Sequence, residues 1–482
     1  IEPSRYSAGS AYLAGNRYAL GDKRPILFKT TDYGRTWTAI NNGIAADHFT
    51  RVIREDPVRR GLLFAGTERG VYMSLDDGMN WQWISKNVPP VPVHDIAIKD
   101  NDVILGTHGR SFWVLDDISA IRQMTPAVLA KPAHLYKPVD AVRTQWGGGF
   151  GGGGGGGGGV GANPRSGAIV YYNLAQANQK VNLDFLDSRG QVIQSFTSDQ
   201  SPEQAADSIA RQAALDSLTG AGLSRDSAQR VLAARGGGGG GFGGGGARPR
   251  VPNRAGLNTF AWNLRYPDAV RFEGLIMWAA GTNGPIAPPG TYAVRMTAGG
   301  ETQTQSFRVR KDPRSTSTDA DILAQFNLLI AIRDKTSEAN NAVRMVRNMR
   351  WNVDDRTGKL TGAQQQEFKT IADGMMGKLT AAEQETYQVR NESNQDPLNF
   401  PIKLNNEIAA VASYVSQGEY RPTRQAREIF AELSRELDVH MRAIKSAMDA
   451  DLPRLNAILR AAGLQELVPS TEEIKPRANV AM

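Results

Sequence analysis

Cysteine is absent from these 482 residues, which excludes disulfides, thiolate metal sites and cysteine nucleophiles. The compartment stays open, because secreted bacterial proteins need not carry disulfides. No apolar run approaches the length of a membrane span, and the opening residues lack the basic start and apolar core of a secretory signal. The formal charge of +7 is small for a chain this long and no Lys/Arg run concentrates it, so no nucleic-acid partner is expected. Histidine is scarce: His48, His94, His108, His134 and His440 are all there are, and none stands in HExxH or another metal-binding spacing. There is no G-x-S-x-G elbow and no Walker loop. Catalytic residues, metal ligands and cofactors are accordingly assigned to none of the chain.

What the chain does contain is a repeat. Thr30 to Trp37, "TTDYGRTW", returns 44 residues later as Ser74 to Trp81, "SLDDGMNW". Both spell S/T-x-D-x-G-x-[T/N]-W, carried by Thr30, Asp32, Gly34 and Trp37 and then by Ser74, Asp76, Gly78 and Trp81. An Asp that bonds nearby backbone N–H groups, followed by a Gly free to take positive φ, describes a tight turn between strands. A third, decayed copy follows: Ala65–Asp77 aligns without a gap on Leu105–Asp117, with Ile118 where the Gly belongs. A period near 40 residues is that of a four-stranded propeller blade. Three such units cannot close a propeller, which takes at least about four blades. Residues 1–124 are therefore expected to be the terminal blades of a larger β-propeller. The remaining blades would precede Ile1 or sit on a second polypeptide.

Residues 125–313 turn to short alternating strands, clearest at 167–174, 180–196, 257–266 and 290–310. Hairpin turns at Asp187–Gly190 and Ala298–Gly300 suggest an Ig-like or fibronectin-like β-sandwich. Two glycine-rich insertions, 147–161 and 199–250, interrupt it; their tracts hold 13 and 10 of the 51 glycines. Flexible surface insertion is the ordinary reading of such tracts, and close packing between chains is the sharper one. Residues 314–482 show helical spacing, with a cap near Ser317–Asp319, helices near 363–391, 402–417 and 423–449, and a short last helix from Pro453. The fold class is thus multidomain, mainly β then α: partial propeller, sandwich, antiparallel helical bundle.

His108 and Arg110, between Gly106 and Ser111, form the candidate pocket, with Asp95 and Asp116 as its neighbours. A buried network locking the last blade to the sandwich is the simpler role for this pair. A sialidase would need an arginine cluster, a Tyr nucleophile with a Glu partner and an acid/base Asp. Arg35, Arg69 and Arg110 imitate part of that cluster, but Arg35 lies inside a box turn.

The stretches "ILFKTTDYGRTWTAI", "AGTERGVYMSLDDGMNWQWI", "PVHDIAIKDNDVILGTHGRSFWVLDD", "GLNTFAWNLRYP", "PPGTYAVRMT" and "LLIAIRDKTSEANNAV" together resemble the C-terminal half of large bacterial BNR/Asp-box repeat proteins. These are the sortilin/Vps10-like chains often labelled glycosyl hydrolase. The resemblance spans nearly the whole chain except the glycine insertions. It implies a secreted or cell-surface protein with a large N-terminal propeller, then a sandwich, then helices. Since the chain shows no catalytic constellation, the expectation is a non-enzymatic extracytoplasmic binding or assembly protein whose propeller takes a peptide or glycan. Because three blades cannot close a propeller, an N-terminal propeller fragment or second polypeptide is the expected partner, homo-oligomerisation being a further option. Two alternatives stay open: a sialidase-like glycoside hydrolase with its catalytic residues on other blades, and a subunit of an extracellular filament packed through its glycine tracts.

Overall fold

The computed structural model describes residues 1–85, 87–144, 164–200, 249–472 and, between the last two stretches, 212–220, 222–224, 227 and 231. Both glycine tracts lie outside the described residues. The rest is a succession of β-sheets followed by helices.

The first sheet runs β1 (Glu2–Pro3), β2 (Ala11–Arg17), β3 (Asp22–Thr30), β4 (Thr38–Ala39), paired in chain order. The second runs β5 (Thr50–Glu55), β6 (Leu63–Thr67), β7 (Val71–Ser74), β8 (Gln82–Trp83), again in chain order. The third has three strands, β9 (Val93–Lys99), β10 (Asp102–Thr107) and β11 (Phe112–Leu115), and continues into the short helices α1 (Ser119–Gln123) and α2 (Pro126–Leu129).

Side chains alternate across a strand, and the middle sheet uses both faces. Ile53, Leu63, Ala65 and Tyr72 pack with Tyr12, Leu27 and Ile40 of the first unit. Val52, Leu62, Phe64, Val71 and Met73 pack with Val93, Ile96, Val103 and Leu105 of the third. This explains why its inner strands β6 and β7 read as nearly continuous apolar runs: a sheet covered on both faces has no polar side. The third repeat aligns on the second without a gap, but the pairing slips by one across its hairpin. Gly66 faces Val71, whereas Gly106 faces Phe112. The β10–β11 hairpin holds one more residue, so the Thr107 hydroxyl donates to the Ser111 carbonyl where Thr67 donates to that of Gly70. α1 is tied back to the second sheet by Arg122, whose guanidinium grips the fully buried Asp56 carboxylate at 2.8 Å.

Two further sheets face each other around one core. β12 (Ala133–Leu135), β14 (Ala168–Leu174) and β17 (Gly256–Trp262) form one, in the order β12-β14-β17. β13 (Ala141–Arg143), β15 (Val181–Leu186), β16 (Val192–Thr197), β18 (Gly290–Ala298) and β19 (Glu301–Lys311) form the other, in the order β13-β19-β18-β15-β16. Trp262, Tyr172, Phe185, Phe260 and Phe307 fill the space between them. All four strand stretches expected from the sequence are present, and both expected hairpins turn at 187–190 and 299–300.

The C-terminal region is helical: α3 (Asp319–Thr357), α4 (Gly362–Thr386), α5 (Leu404–Val415) and α6 (Arg424–Ala461). Thr318 caps α3 through a reciprocal bond with Asp321, the capping-box arrangement. The expected separate helix from Pro453 does not exist; Pro453 lies inside α6. A proline there removes one backbone bond, but Ile444, Met448, Leu455 and Leu459 stay buried in one core along the same stripe, and that packing carries the helix through. The irregular chain before β18 drapes over the bundle: Trp278 and Asn406 exchange two hydrogen bonds, and Phe272 packs with Val343 and Tyr387. Among the described residues no helix is long and apolar enough to cross a membrane.

Candidate functional site

The two box turns are the best-defined polar constructions in the first three sheets. The Thr30 hydroxyl donates to Asp32 Oδ1 at 2.8 Å and accepts from Gly34 N–H at 3.0 Å. Asp32 then accepts from the Thr36 backbone N–H at 2.9 Å and the Thr36 hydroxyl at 2.6 Å. In the second copy Ser74 donates to Asp76 at 2.8 Å and accepts from Gly78 at 2.9 Å. Asp76 accepts from the Asn80 backbone and side chain, both at 2.8 Å. Gly34 and Gly78 sit at φ of 83° and 87°, a region costly for any side chain. The hydroxyl, carboxylate and Thr36 or Asn80 groups of each box are used within the turn, so this part of the motif closes a loop. Thr36, and to a lesser degree Thr30, hold the Asp32 carboxyl well below the usual range, at about 2.

Because strands run antiparallel, the hairpins β6–β7 and β10–β11 lie at the opposite end from the boxes, together with the starts of β5 and β9. Here the three sheets bring one set of side chains together. Tyr18, just after β2, stacks on Phe49 with centroids 5.1 Å apart. The Arg51 guanidinium lies over both rings, 5.6 Å from Tyr18 and 5.0 Å from Phe49. It donates from Nε to Glu68 at 2.7 Å. His94 and His108 then face each other with ring centroids 4.9 Å apart. Burial, then Arg51 and His108, lowers the His94 pKa from its ordinary value. Beside this strip His48 bonds the Tyr72 hydroxyl at 2.9 Å and packs on Trp83.

His108 and Arg110 are thus exposed on the β10–β11 hairpin and belong to no buried network. The hairpin is held by the His108 N–H donating to the Pro92 carbonyl at 2.9 Å and by Trp113 Nε1 donating to the Arg110 carbonyl at 3.0 Å. Asp95 is ion-paired with Arg54 at 2.6 Å. Asp116 stands at the other end of β11, where burial and the nearby Asp102 and Asp117 raise its pKa. Arg35 is likewise at the box end, so the arginines 35, 69 and 110 do not converge. Tyr18, Phe49, Arg51, Glu68 and His94 were not singled out in the sequence. The repeat carried the signal, since Glu68 aligns with His108, and "PVHD" places His94 at the strand start facing that hairpin.

No group of three or more metal-ligating side chains occurs among the described residues. A surface cavity of about 670 Å³ lies elsewhere, on the sandwich, lined by Pro132, Gln176, Gln179, Lys180, Asn182 and Thr297 among others.

Neither a protein-family model nor a curated protein matches the chain. Among solved structures, a GH74 xyloglucanase from Xanthomonas campestris is similar at 16% identity and a TM-score of 0.18. The match covers 29% of this chain and 24% of that one, so the chain spans about a quarter of that structure's length and takes neither fold nor chemistry from it.

Proposed function

We propose that this is an extracytoplasmic binding and assembly protein, not an enzyme, whose first three sheets are consecutive blades of a β-propeller. The support for blades is the chain-order pairing of successive antiparallel sheets, stacked face to face and closed by matching box turns. The observation that carries the binding role is the strip at the hairpin end: a stacked aromatic pair under Arg51, running on to His94 and His108. An aromatic face beside a cation suits a peptide carboxylate or a sugar ring, the two ligand types expected from the sequence.

The test is a titration of the full chain with an acidic decapeptide and, separately, with cellohexaose, following the histidine ring protons by NMR. Binding of either should shift the His94 and His108 signals and disappear in the double variant Tyr18→Ala, Arg110→Ala. If both ligands leave these rings unmoved at millimolar concentration, or binding survives the double variant, the strip is not the site.

A further inference from the structure

Sheet two shows what a box turn looks like when a neighbouring sheet covers it. Trp81 is 4% exposed; its Nε1 donates to the Ile40 carbonyl at 2.7 Å and its backbone N–H to the Asn42 carbonyl at 2.9 Å. A Cβ on Gly78 would stand 2.8 Å from Ile40 Cδ1. The Asn42 side chain donates to Asn80 at 2.7 Å and to the Met79 carbonyl at 3.3 Å. The Tyr12 hydroxyl and the Lys29 ammonium clasp Asp77. All of these partners come from sheet one or from Ile40–Asn42, the segment that follows its fourth strand.

Sheet one repeats the turn without the cover. Trp37 is 38% exposed, and among the described residues the only atoms a Cβ on Gly34 would meet within 4 Å belong to Trp37 itself. Tyr33, at the place of Asp77, stands 78% exposed. The sheet's outer face is apolar. Tyr12, Ala14 and Leu27 point to sheet two, so the alternate residues Leu13, Ile26 and Phe28 face away, and all three are only half-buried.

We infer that this face is a docking surface for one more four-stranded sheet of the same repeat, carried by polypeptide other than residues 1–482. The inference rests on the propeller reading and names its partner. Continuity with the sheet one–sheet two interface fixes the chemistry the partner presents. It offers a backbone carbonyl to Trp37 Nε1, a branched apolar side chain over Gly34 and an apolar contact for the Tyr33 ring, and in place of the Tyr12–Lys29 pair it needs no cation. A second copy of this chain is the wrong occupant. Its own open sheet edge, at β11, belongs to a three-stranded sheet that runs from Leu115 into α1, with no fourth strand and no counterpart of Ile40–Asn42 among the described residues.

The experiment places the photocrosslinker p-benzoylphenylalanine at Arg35, and separately at Met79, in the protein expressed in its own host. Both positions are exposed and neither side chain takes part in its box. After irradiation the adducts are identified by peptide mass spectrometry. At Met79 the crosslink should fall within this chain near Asn42, which calibrates the geometry. At Arg35 it should fall on a peptide outside residues 1–482, in a stretch carrying S/T-x-D-x-G-x-[T/N]-W boxes about 44 residues apart. An Arg35 adduct to this chain itself, to a protein without such boxes, or no adduct while Met79 reports normally, overturns the proposal. Arg35 lies at the end opposite the hairpin strip. Loss of this docking with ligand binding intact therefore reads differently from loss of binding with docking intact.

Discussion

The turn after β3 and the turn after β7 share their hydrogen bonds to within about 0.2 Å and their backbone angles to within a few degrees, yet one tryptophan lies sealed under Ile40 and the other stands half in solvent. Local sequence built both turns, since Ser or Thr, Asp and Gly satisfy one another inside eight residues. What differs is the neighbour. The box is a self-contained closure, and in the second copy its tryptophan is a separate device that reaches out of the sheet to hold the segment following the sheet before it. Comparing the two copies separates those roles within one molecule.

The largest effect should come from cutting that device where it is engaged. Trp81→Ala removes a buried ring and the bond to Ile40, and about 3–5 kcal/mol of local stability should go with it. Trp37→Ala should cost less than about 1 kcal/mol in the isolated chain, as an exposed substitution does. Hydrogen exchange on β6 and β7 against β2 and β3 measures each locally, without assuming that so large a chain unfolds in one step. Equal costs would mean that Trp37 is packed as tightly as Trp81.

Next come the glycines. Gly34→Ala and Gly78→Ala both force a side chain into the left-handed region, for about 1–2 kcal/mol. At Gly78 the new methyl also drives into Ile40, and overpacking adds about 1–3 kcal/mol. The difference between the two variants therefore measures the cover alone. It should be read from hydrogen exchange on β6 and β7 against β2 and β3, and a difference near zero would sink the comparison.

Acid should loosen both turns. The folded pKa of Asp32, about 2, lies below the unfolded value of about 3.9. Its stabilisation is therefore complete above pH ~4 and is lost as pH falls through the folded value. For Asp76 burial pulls the pKa upward, and the bonds from Asn80 and Ser74 outweigh it to leave it lowered; the sign is the same. Amide exchange at Gly34 and Gly78 between pH 4 and 2 should rise in both turns, and in Asp32→Asn the dependence at Gly34 should flatten while that at Gly78 stays. A pH-independent Gly34 in the unmodified chain would contradict the carboxylate's role.

Much of this was legible because it is local. The boxes, the sheet period, the sandwich hairpins and the bundle's stripes all arise from neighbours within a few residues, where spacing maps onto geometry. The Tyr18–Phe49–Arg51–His94 strip was not, since its members come from three separate segments and meet only when the sheets stack. The unbroken α6 was missed for a related reason: Pro453 is a local stop signal, overruled by Leu455 and Leu459 packing against α4, which no window around the proline reveals. The one-residue slip at the third hairpin was hidden by a gapless alignment, because identity of letters does not fix which residues pair.

The smallest effect sharpens the comparison from the hairpin end, where sheets two and three carry histidines and sheet one has none. Burial lowers His48, with Asp47 pulling back and Arg69 adding to the fall; burial, Arg51 and His108 lower His94. His134, in the sandwich, is lowered by burial and Lys131. A histidine with a depressed folded pKa binds its proton more readily unfolded, so stability declines as pH drops from about 6.5 toward that folded value. Asp116 and Glu407, raised mainly by burial, act in the opposite sense, gaining stability as pH falls through their own raised values. From pH 7.5 to 5.5 amide protection in β7 and β9 should therefore weaken while β2 and β3 hold, and His48→Gln with His94→Gln should remove that weakening. If sheet one weakens equally, the histidines are coupled to it through the Tyr18–Phe49 stack, and the first two sheets respond as one body at this end although they differ at the other.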